Sequence, residues 1–231
     1  MSELDHVLII GGGIGGLCLA QGLTRSGVSA TVYERDCANT DRLQDYRVHI
    51  SPKGSRALHD CLPPALFEVF ATTCGRPPLF FRILTERMQT LISVCGFVEP
   101  DANAVEQNRS VSRITLRHVL LTRLAERVQF GKTFVHYEMH GDRVIAFFED
   151  GSSAEGGLLV AADGGGSRVR RQYLPHAERV DTGVAAIGGK VFLGEKCAGA
   201  FRHPCATLLR WFRGPVGADF LSQRRRSLIR R

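Results

Sequence analysis

Val7-Leu8-Ile9-Ile10-Gly11-Gly12-Gly13-Ile14-Gly15-Gly16 is the stretch that decides how this chain folds. Four apolar residues suited to a strand run directly into a G-x-G-x-x-G turn at Gly11, Gly13 and Gly16. Beyond it, Ile14, Leu17, Cys18 and Ala20-Gln21 set apolar or small side chains at three- and four-residue spacing, which predicts a helix. Gly27 stands where a helix-ending glycine is favoured. Thr31 to Tyr33 reads as a second strand, closed by Glu34-Arg35. Residues 4–34 therefore predict a βαβ unit, which implies a parallel sheet with a right-handed crossover.

In that setting each glycine has a physical task. Gly11 permits the tight turn, Gly13 lets backbone approach a pyrophosphate, and Gly16 lets the helix pack closely on the sheet. The free N–H groups and positive dipole at the helix start face the phosphates. Glu34 falls about 20 residues on, where a carboxylate accepts hydrogen bonds from an adenosine ribose. The stretch thus predicts a dinucleotide site.

A second constellation lies at Leu158-Leu159-Val160-Ala161-Ala162-Asp163-Gly164-Gly165-Gly166-Ser167-Arg168-Val169-Arg170. It reads as a buried strand, an Asp-Gly turn and a helix start rich in Ser and Arg. A nucleotide-binding sheet gathers its ligand at the carboxyl ends of such strands. Asp163 is placed to accept hydrogen bonds from ribose or from water bound to a pyrophosphate, and Gly164, Gly165 and Gly166 to give backbone access. An ordinary Asp-Gly turn has the same text.

The rest of the chain reads more coarsely. Residues 36–52 look like an extended loop, with Ser51-Pro52 capping a helix that Lys53 to Cys61 continues. Pro64 to Thr72 predicts another helix. Leu79 to Leu84 and Thr90 to Val94 alternate like strands, and Asp101 to Ser110 reads as a polar loop. Thr115 to Arg127 predicts a helix with Leu116, Val119, Leu120 and Leu124 on one face. Thr133–His140 and Arg143–Glu149, joined by Gly141-Asp142, predict a β-hairpin. His136 and His140 share a strand face, but no third ligand is near, and no metal site is expected.

Composition sets outer bounds. The 231 residues are 44% hydrophobic, enough for a real core. No apolar run reaches transmembrane length. The N-terminus lacks a basic leader region. The seven cysteines are scattered and form no C-x-x-C. They read as reduced thiols of an intracellular protein, so a cytoplasmic location is expected. The formal charge of +7 lies wholly in residues 201–231, which hold eight Arg and one acid, Asp219. A surplus confined to an aperiodic end reads as a solvated, poorly ordered tail, and no nucleic-acid partner is expected.

Taken together, the motifs resemble the class A FAD-dependent monooxygenases, the flavoproteins similar to para-hydroxybenzoate hydroxylase. The resemblance rests on Gly11–Gly16 with Glu34-Arg35, then Arg117-x-x-Leu120-x-x-x-Leu124, then Ala162-Asp163-Gly164-x-x-Ser167-x-Val169-Arg170, in that order. Tyr46 to Leu58 is similar to the loop and helix that follow the ribose acid in that family. The resemblance covers roughly residues 4–190. It implies an α/β fold: a Rossmann-like FAD-binding domain of the glutathione reductase type, a βαβ core with a β-hairpin insertion, followed by the start of a substrate-domain sheet. The implied boundaries are 1–183 for the FAD-binding domain, 184–200 for the first strand of an incomplete substrate domain (from Val184 to Leu193), and 201–231 for the tail.

It also implies roles. Gly11, Gly13 and Gly16 face the FAD pyrophosphate, with Glu34 on the adenosine ribose and Arg35 beside it. Arg47 and Arg117 contact phosphates or nearby backbone. Asp163-Gly164 serves FAD and the nicotinamide donor, NADPH or NADH. The implied reaction is hydroxylation or epoxidation of an aromatic or polyketide-like small molecule. No catalytic acid, base or nucleophile is assigned. The family's later Gly-Asp motif has no match after residue 180, so a C-terminally truncated form with impaired activity is expected. A non-catalytic nucleotide-binding fragment and an NAD-dependent dehydrogenase are the alternatives, and the sequence is silent on oligomeric state.

Overall fold

The computed structural model describes residues 6–38, 46–75, 80–85, 87, 89–95, 105–186 and 211–213. Its elements begin with β1 (Val7–Ile10), α1 (Ile14–Arg25), β2 (Ala30–Tyr33), β3 (Arg47–Ile50), α2 (Pro52–Cys61), α3 (Pro64–Thr73), β4 (Phe80–Leu84) and β5 (Thr90–Cys95). They continue with β6 (Arg109–Ser112), α4 (Arg113–Leu121), a 3₁₀ turn at Ala125–Arg127, β7 (Val128–Gln129), β8 (Phe134–His140) and β9 (Arg143–Phe148). The last are β10 (Ser153–Gly156), β11 (Leu158–Ala161), α5 (Arg168–Tyr173), β12 (Val184–Ala186) and β13 (Trp211–Arg213). The chain divides into two units: Met1–Leu79 with Phe97–Glu178, and Phe80–Gly96 with Arg179–Arg231.

The first unit is organised by β1. Its four residues are all buried, because both faces of the strand are covered. Val7 and Ile9 point into one cluster, with Leu17, Leu58, Phe70, Leu116 and Leu120. Leu8 and Ile10 point into another, with Tyr33, Phe134, Val144, Ala146 and Phe148. Alternation with period two thus sends one strand's side chains into two cores. A strand covered on both sides reads as a continuous apolar run, which is what Val7–Ile10 is. Each such side chain contributes about 1.5–3 kcal/mol when fully buried. The sheet is four-stranded, in the order β11-β1-β2-β7, and every pairing in it is parallel. Helices cover one face. An antiparallel three-stranded sheet, β10-β9-β8, supplies the cluster on the other.

Local signals explain the element ends. After α1, the Gly27 N–H donates to Thr24 O (3.2 Å) and the Val28 N–H to Leu23 O (2.9 Å), with Gly27 at φ +75°. This paired return satisfies the orphan carbonyls of the last turn. Ser51 Oγ accepts from the Gly54 N–H at 3.3 Å and Pro52 occupies the first turn of α2. Gln21 is 3% exposed, and its amide donates to the carbonyls of Leu120 (2.7 Å) and Thr122 (2.8 Å). It thereby caps the end of α4 from the facing helix.

Several readings from sequence are corrected. The helix expected over Thr115–Arg127 ends at Leu121, because Arg123 adopts φ +67°; Leu124 is still fully buried. Within residues 36–52, Arg47–Ile50 is a strand, paired antiparallel with Arg109–Ser112 from the end of the other expected loop. β10 is an extra strand after the Asp150-Gly151 turn. In the second unit, β4 pairs with β5 and β12 pairs with β13, both antiparallel. Trp211–Arg213 is thus a strand inside the run expected to be a tail. The hairpin β4–β5 groups with the chain from Arg179 onward, where the sequence placed boundaries after 183 and 200. The continuation of the expected strand from 187 to 193 and the arginines from 224 to 231 lie outside the described residues. Among the described residues, no helix is long and apolar enough to cross a membrane.

Candidate functional site

The carboxyl ends of β1, β2 and β11 converge on the glycine turn. The Gly11 N–H donates to Tyr33 O at 2.9 Å, and the Ala162 N–H to Ile10 O at 2.8 Å, so three strand ends are tied together. Gly11 sits at φ +111°, and a Cβ there would overlap the Ala162 carbonyl. A Cβ on Gly16 would overlap the Gly11 carbonyl oxygen. Gly13 differs: a Cβ on it meets nothing within 4 Å, because the position opens into a cavity.

Glu34 is held at both backbone and side chain. Its N–H donates to Gln129 O (2.9 Å), and its carbonyl accepts from the Lys132 N–H (2.8 Å). Glu34 is 8% exposed; its carboxylate Oε2 accepts from the Gly12 N–H at 2.6 Å and Oε1 from the Asp36 N–H at 3.0 Å. A carboxylate offers about four lone-pair sites, so about two remain for a ligand's hydroxyls. The same group that would read a ribose thus also ties the glycine turn to the end of β2.

Asp163 uses one oxygen structurally. Its Oδ2 accepts from the N–H groups of Arg168 (2.7 Å) and Val169 (3.5 Å) at the start of α5. Its Oδ1 is buried and has no hydrogen-bond partner among the described residues. A buried acceptor left unmade is costly, and such orphans mark places where water, an ion or a ligand completes the structure.

These groups line one cavity of about 450 Å³. Its walls carry six cationic side chains (Arg35, Arg113, Arg117, Lys132, Arg168 and Arg171) against three carboxylates, Glu34, Asp36 and Asp163. Concave walls of one dominant sign focus potential, here toward anions.

Of the residues singled out from sequence, Gly11, Gly13, Glu34, Arg35, Arg117, Asp163 and Gly164 line this cavity. Gly16 does not; it serves the packing of α1 on the turn. Arg47 does not either, because its guanidinium donates to Ser110 O (2.8 Å) and Ser110 Oγ (3.1 Å) across the β3–β6 pair. Arg117 donates to Gly12 O at 3.4 Å and lies 5.9 Å from the Phe130 ring centroid.

Arg113, Lys132 and Arg171 were not read from sequence as site residues. Arg113 stands four residues before Arg117 on α4, so the helical period could have found it. Lys132 gave no such signal. Its ammonium is held by Asp150 Oδ2 (2.5 Å) and Ser152 Oγ (2.8 Å) in the β9–β10 turn. The Lys132 hydrogen bond, with help from Ser152, holds the Asp150 carboxyl well below the usual carboxylate range. Arg168 is pinned by Phe134 O and Glu149, both at 2.7 Å. Tyr33 stacks on Phe148 at 4.7 Å, and burial raises its hydroxyl pKa. Away from the cavity, His136 and His140 flank Glu138 at 3.4 and 3.3 Å. No metal-holding cluster of three such side chains exists among the described residues.

Residues 9–72 match the family described as NAD(P)-binding Rossmann-like domain. The dual O-methyltransferase/FAD-dependent monooxygenase elcB of Phaeosphaeria nodorum is 33% identical over 210 residues, 89% of this chain and 22% of that protein. A solved structure from Photorhabdus luminescens subsp. laumondii, assigned as an FAD-containing monooxygenase, is 38% identical with a TM-score of 0.71. That match covers 85% of this chain and 49% of the other. HpxO of Klebsiella pneumoniae, solved with FAD and uric acid, is 28% identical with a TM-score of 0.59, over 72% of this chain and 41% of that one.

Over most of its length the chain is thus similar to one part of FAD-dependent monooxygenases. It spans 22% of the curated relative's length and less than half of either solved chain. This chain carries a parallel sheet with its glycine turn, the Glu34 carboxylate and the Asp163-Gly164 turn. In this chain the glycine turn, Glu34 and Asp163 are spread over about 150 residues of sequence and line one cavity.

Proposed function

We propose that this chain binds FAD, seating the ADP half in the cavity between Gly11–Gly13, Glu34 and Asp163. We further propose that it serves an NADPH- or NADH-dependent monooxygenase acting on an aromatic or polyketide-like small molecule, by hydroxylation or epoxidation. One observation carries the reading: an open glycine cradle, a ribose-type acid with spare lone pairs and an orphaned buried carboxylate oxygen share one cationic cavity. When bound, FAD supplies the redox and oxygen chemistry. The chain's own residues position it. The turn N–H groups and the cationic wall take the diphosphate, Glu34 accepts from the ribose hydroxyls, and Asp163 Oδ1 accepts from a ligand hydroxyl or a bridging water. Residues 1–183 would form the FAD-binding domain and 184–200 begin the substrate side, with residues 201–231 outside cofactor binding. The FAD dependence of the relatives disfavours an NAD-dependent dehydrogenase.

The test is a titration of the apo-chain with FAD, followed by flavin fluorescence, with ADP and riboflavin as competitors. Saturable binding that ADP displaces and riboflavin does not is the expected result. An absence of saturable binding, or equal competition by riboflavin, would overturn the assignment of the ADP half to this cavity.

A further inference from the structure

Away from the cavity, α1 and α2 meet along a seam that holds two thiols. Cys18 and Gly22 lie one turn apart on α1, and Ala57 and Cys61 lie one turn apart on α2. The Cys18 thiol points at the Ala57 carbonyl oxygen, 3.9 Å away. Cys61 fills the room left over Gly22: a Cβ on Gly22 would stand 2.9 Å from Cys61 Sγ and 3.8 Å from its Cα. The missing side chain at Gly22 is what lets the helices close on each other here. Both cysteines are only partly buried, so small solutes can reach the seam. Burial pushes the Cys18 thiol up to about 12, and the charge and hydrogen bond of adjacent Cys61 add to the rise. Cys74, by contrast, donates to its own helix at Phe70 O, 3.2 Å away.

We propose that Cys18 and Cys61 form a redox-active dithiol that hydrogen peroxide converts to a disulfide, stapling α1 to α2. The Cys18 thiol is held by the Ala57 carbonyl, 3.9 Å away, so Cys61 reacts first. Its thiolate attacks one peroxide oxygen, the O–O bond breaks, and Cys61 becomes a sulfenic acid as water leaves. The Cys18 sulfur then attacks the sulfenic sulfur. The S–O bond breaks, and the Cys18 proton goes to the departing hydroxide as a second water. Two thiols lose two electrons, and one peroxide becomes two waters. The staple lies one turn inside the helix whose N-cap is Gly13, so it fixes α2 against the element that carries the glycine turn.

The test uses the full chain, reduced, freed of reductant and treated with one equivalent of hydrogen peroxide. Remaining thiols are alkylated and the protein is digested with trypsin under non-reducing conditions. Cys18 falls in peptide 1–25. Cys61 falls in peptide 57–82, because trypsin does not cut between Arg76 and Pro77, together with Cys74, so fragment ions must place the link. The expected result is peptide 1–25 joined through Cys61, reversed by dithiothreitol, with a higher unfolding midpoint for the oxidised chain. In Cys18→Ser, a dimedone-reactive sulfenic acid should persist on Cys61; in Cys61→Ser, Cys18 should stay reduced. Recovery of Cys18 as a free thiol while the exposed Cys37 oxidises, or a link at Cys74, overturns the proposal. If either variant fails to fold, the wild-type peptide map decides alone.

Discussion

Glu34→Gln keeps the side chain's shape and is expected to be costly. The Glu34 carboxylate accepts from two backbone donors, Gly12 N–H at 2.6 Å and Asp36 N–H at 3.0 Å. Glutamine offers one acceptor oxygen and one NH₂ group. Whichever way the amide turns, one of those backbone donors faces another donor. A hydrogen bond to a charged group contributes about 1.5–3 kcal/mol, and a buried donor left unsatisfied costs about 1–3 kcal/mol. The Gly12 contact is buried and the Asp36 contact is partly wet, so the amide oxygen should keep Gly12 and release Asp36. The loss of charge on the first bond and the orphaning of the second together cost about 2 kcal/mol. With a urea slope of about 2 kcal/mol/M, the unfolding midpoint should fall by about 1 M at unchanged slope. The measurement is made without nucleotide, which separates the structural role of Glu34 from its proposed ribose contact. ADP affinity, measured on the folded variant, should fall by a further 1–3 kcal/mol or so, roughly 5- to 150-fold. A midpoint within about 0.2 M of the parent would refute the claim that Glu34 ties the turn to β2.

Other variants test neighbouring parts of the argument. Gly13→Val should fold normally, because its Cβ points into open space, yet lose FAD and ADP binding; unchanged affinity in a calorimetric titration would remove Gly13 from the site. Gly16→Val should instead lose stability by several kcal/mol, since its Cβ overlaps the Gly11 carbonyl; a melting temperature like the parent's would contradict that packing. Gln21→Leu should cost about 2 kcal/mol in chemical denaturation by orphaning the carbonyls of Leu120 and Thr122, and no cost would mean water caps α4 as well. His6 bonds Ser29 Oγ (2.7 Å) and Thr31 Oγ1 (3.0 Å), and burial, then Arg127, lowers its pKa from 6.5. The unfolded chain therefore takes up the proton first as pH falls through 6.5, so His6 makes stability decline below that pH until its folded pKa is passed. His6→Gln should flatten the stability profile between pH 7 and 5; superimposable profiles would exclude the effect.

What the sequence determined by itself was the unit from β1 to β2. Val7–Ile10, the glycine turn, the 3.6-residue stripe of α1, Gly27 and Glu34 all act over short separations, so each leaves a periodic or positional mark. The hairpin β8–β9 and the strand before Asp163 were legible for the same reason. Other features arose from pairings between distant segments. β3 joins β6 across about sixty residues, and that pairing carries Arg47 to Ser110 and away from the cavity. The order β11-β1-β2-β7 brings Asp163 beside Gly11 and places Lys132 against Glu34. A lone lysine after a two-residue strand has no period to announce it, and its position depends on Asp150 and Ser152 in another turn. Non-local pairing is settled by which surfaces can be buried together once the chain has collapsed, and that choice is written in no single window of sequence.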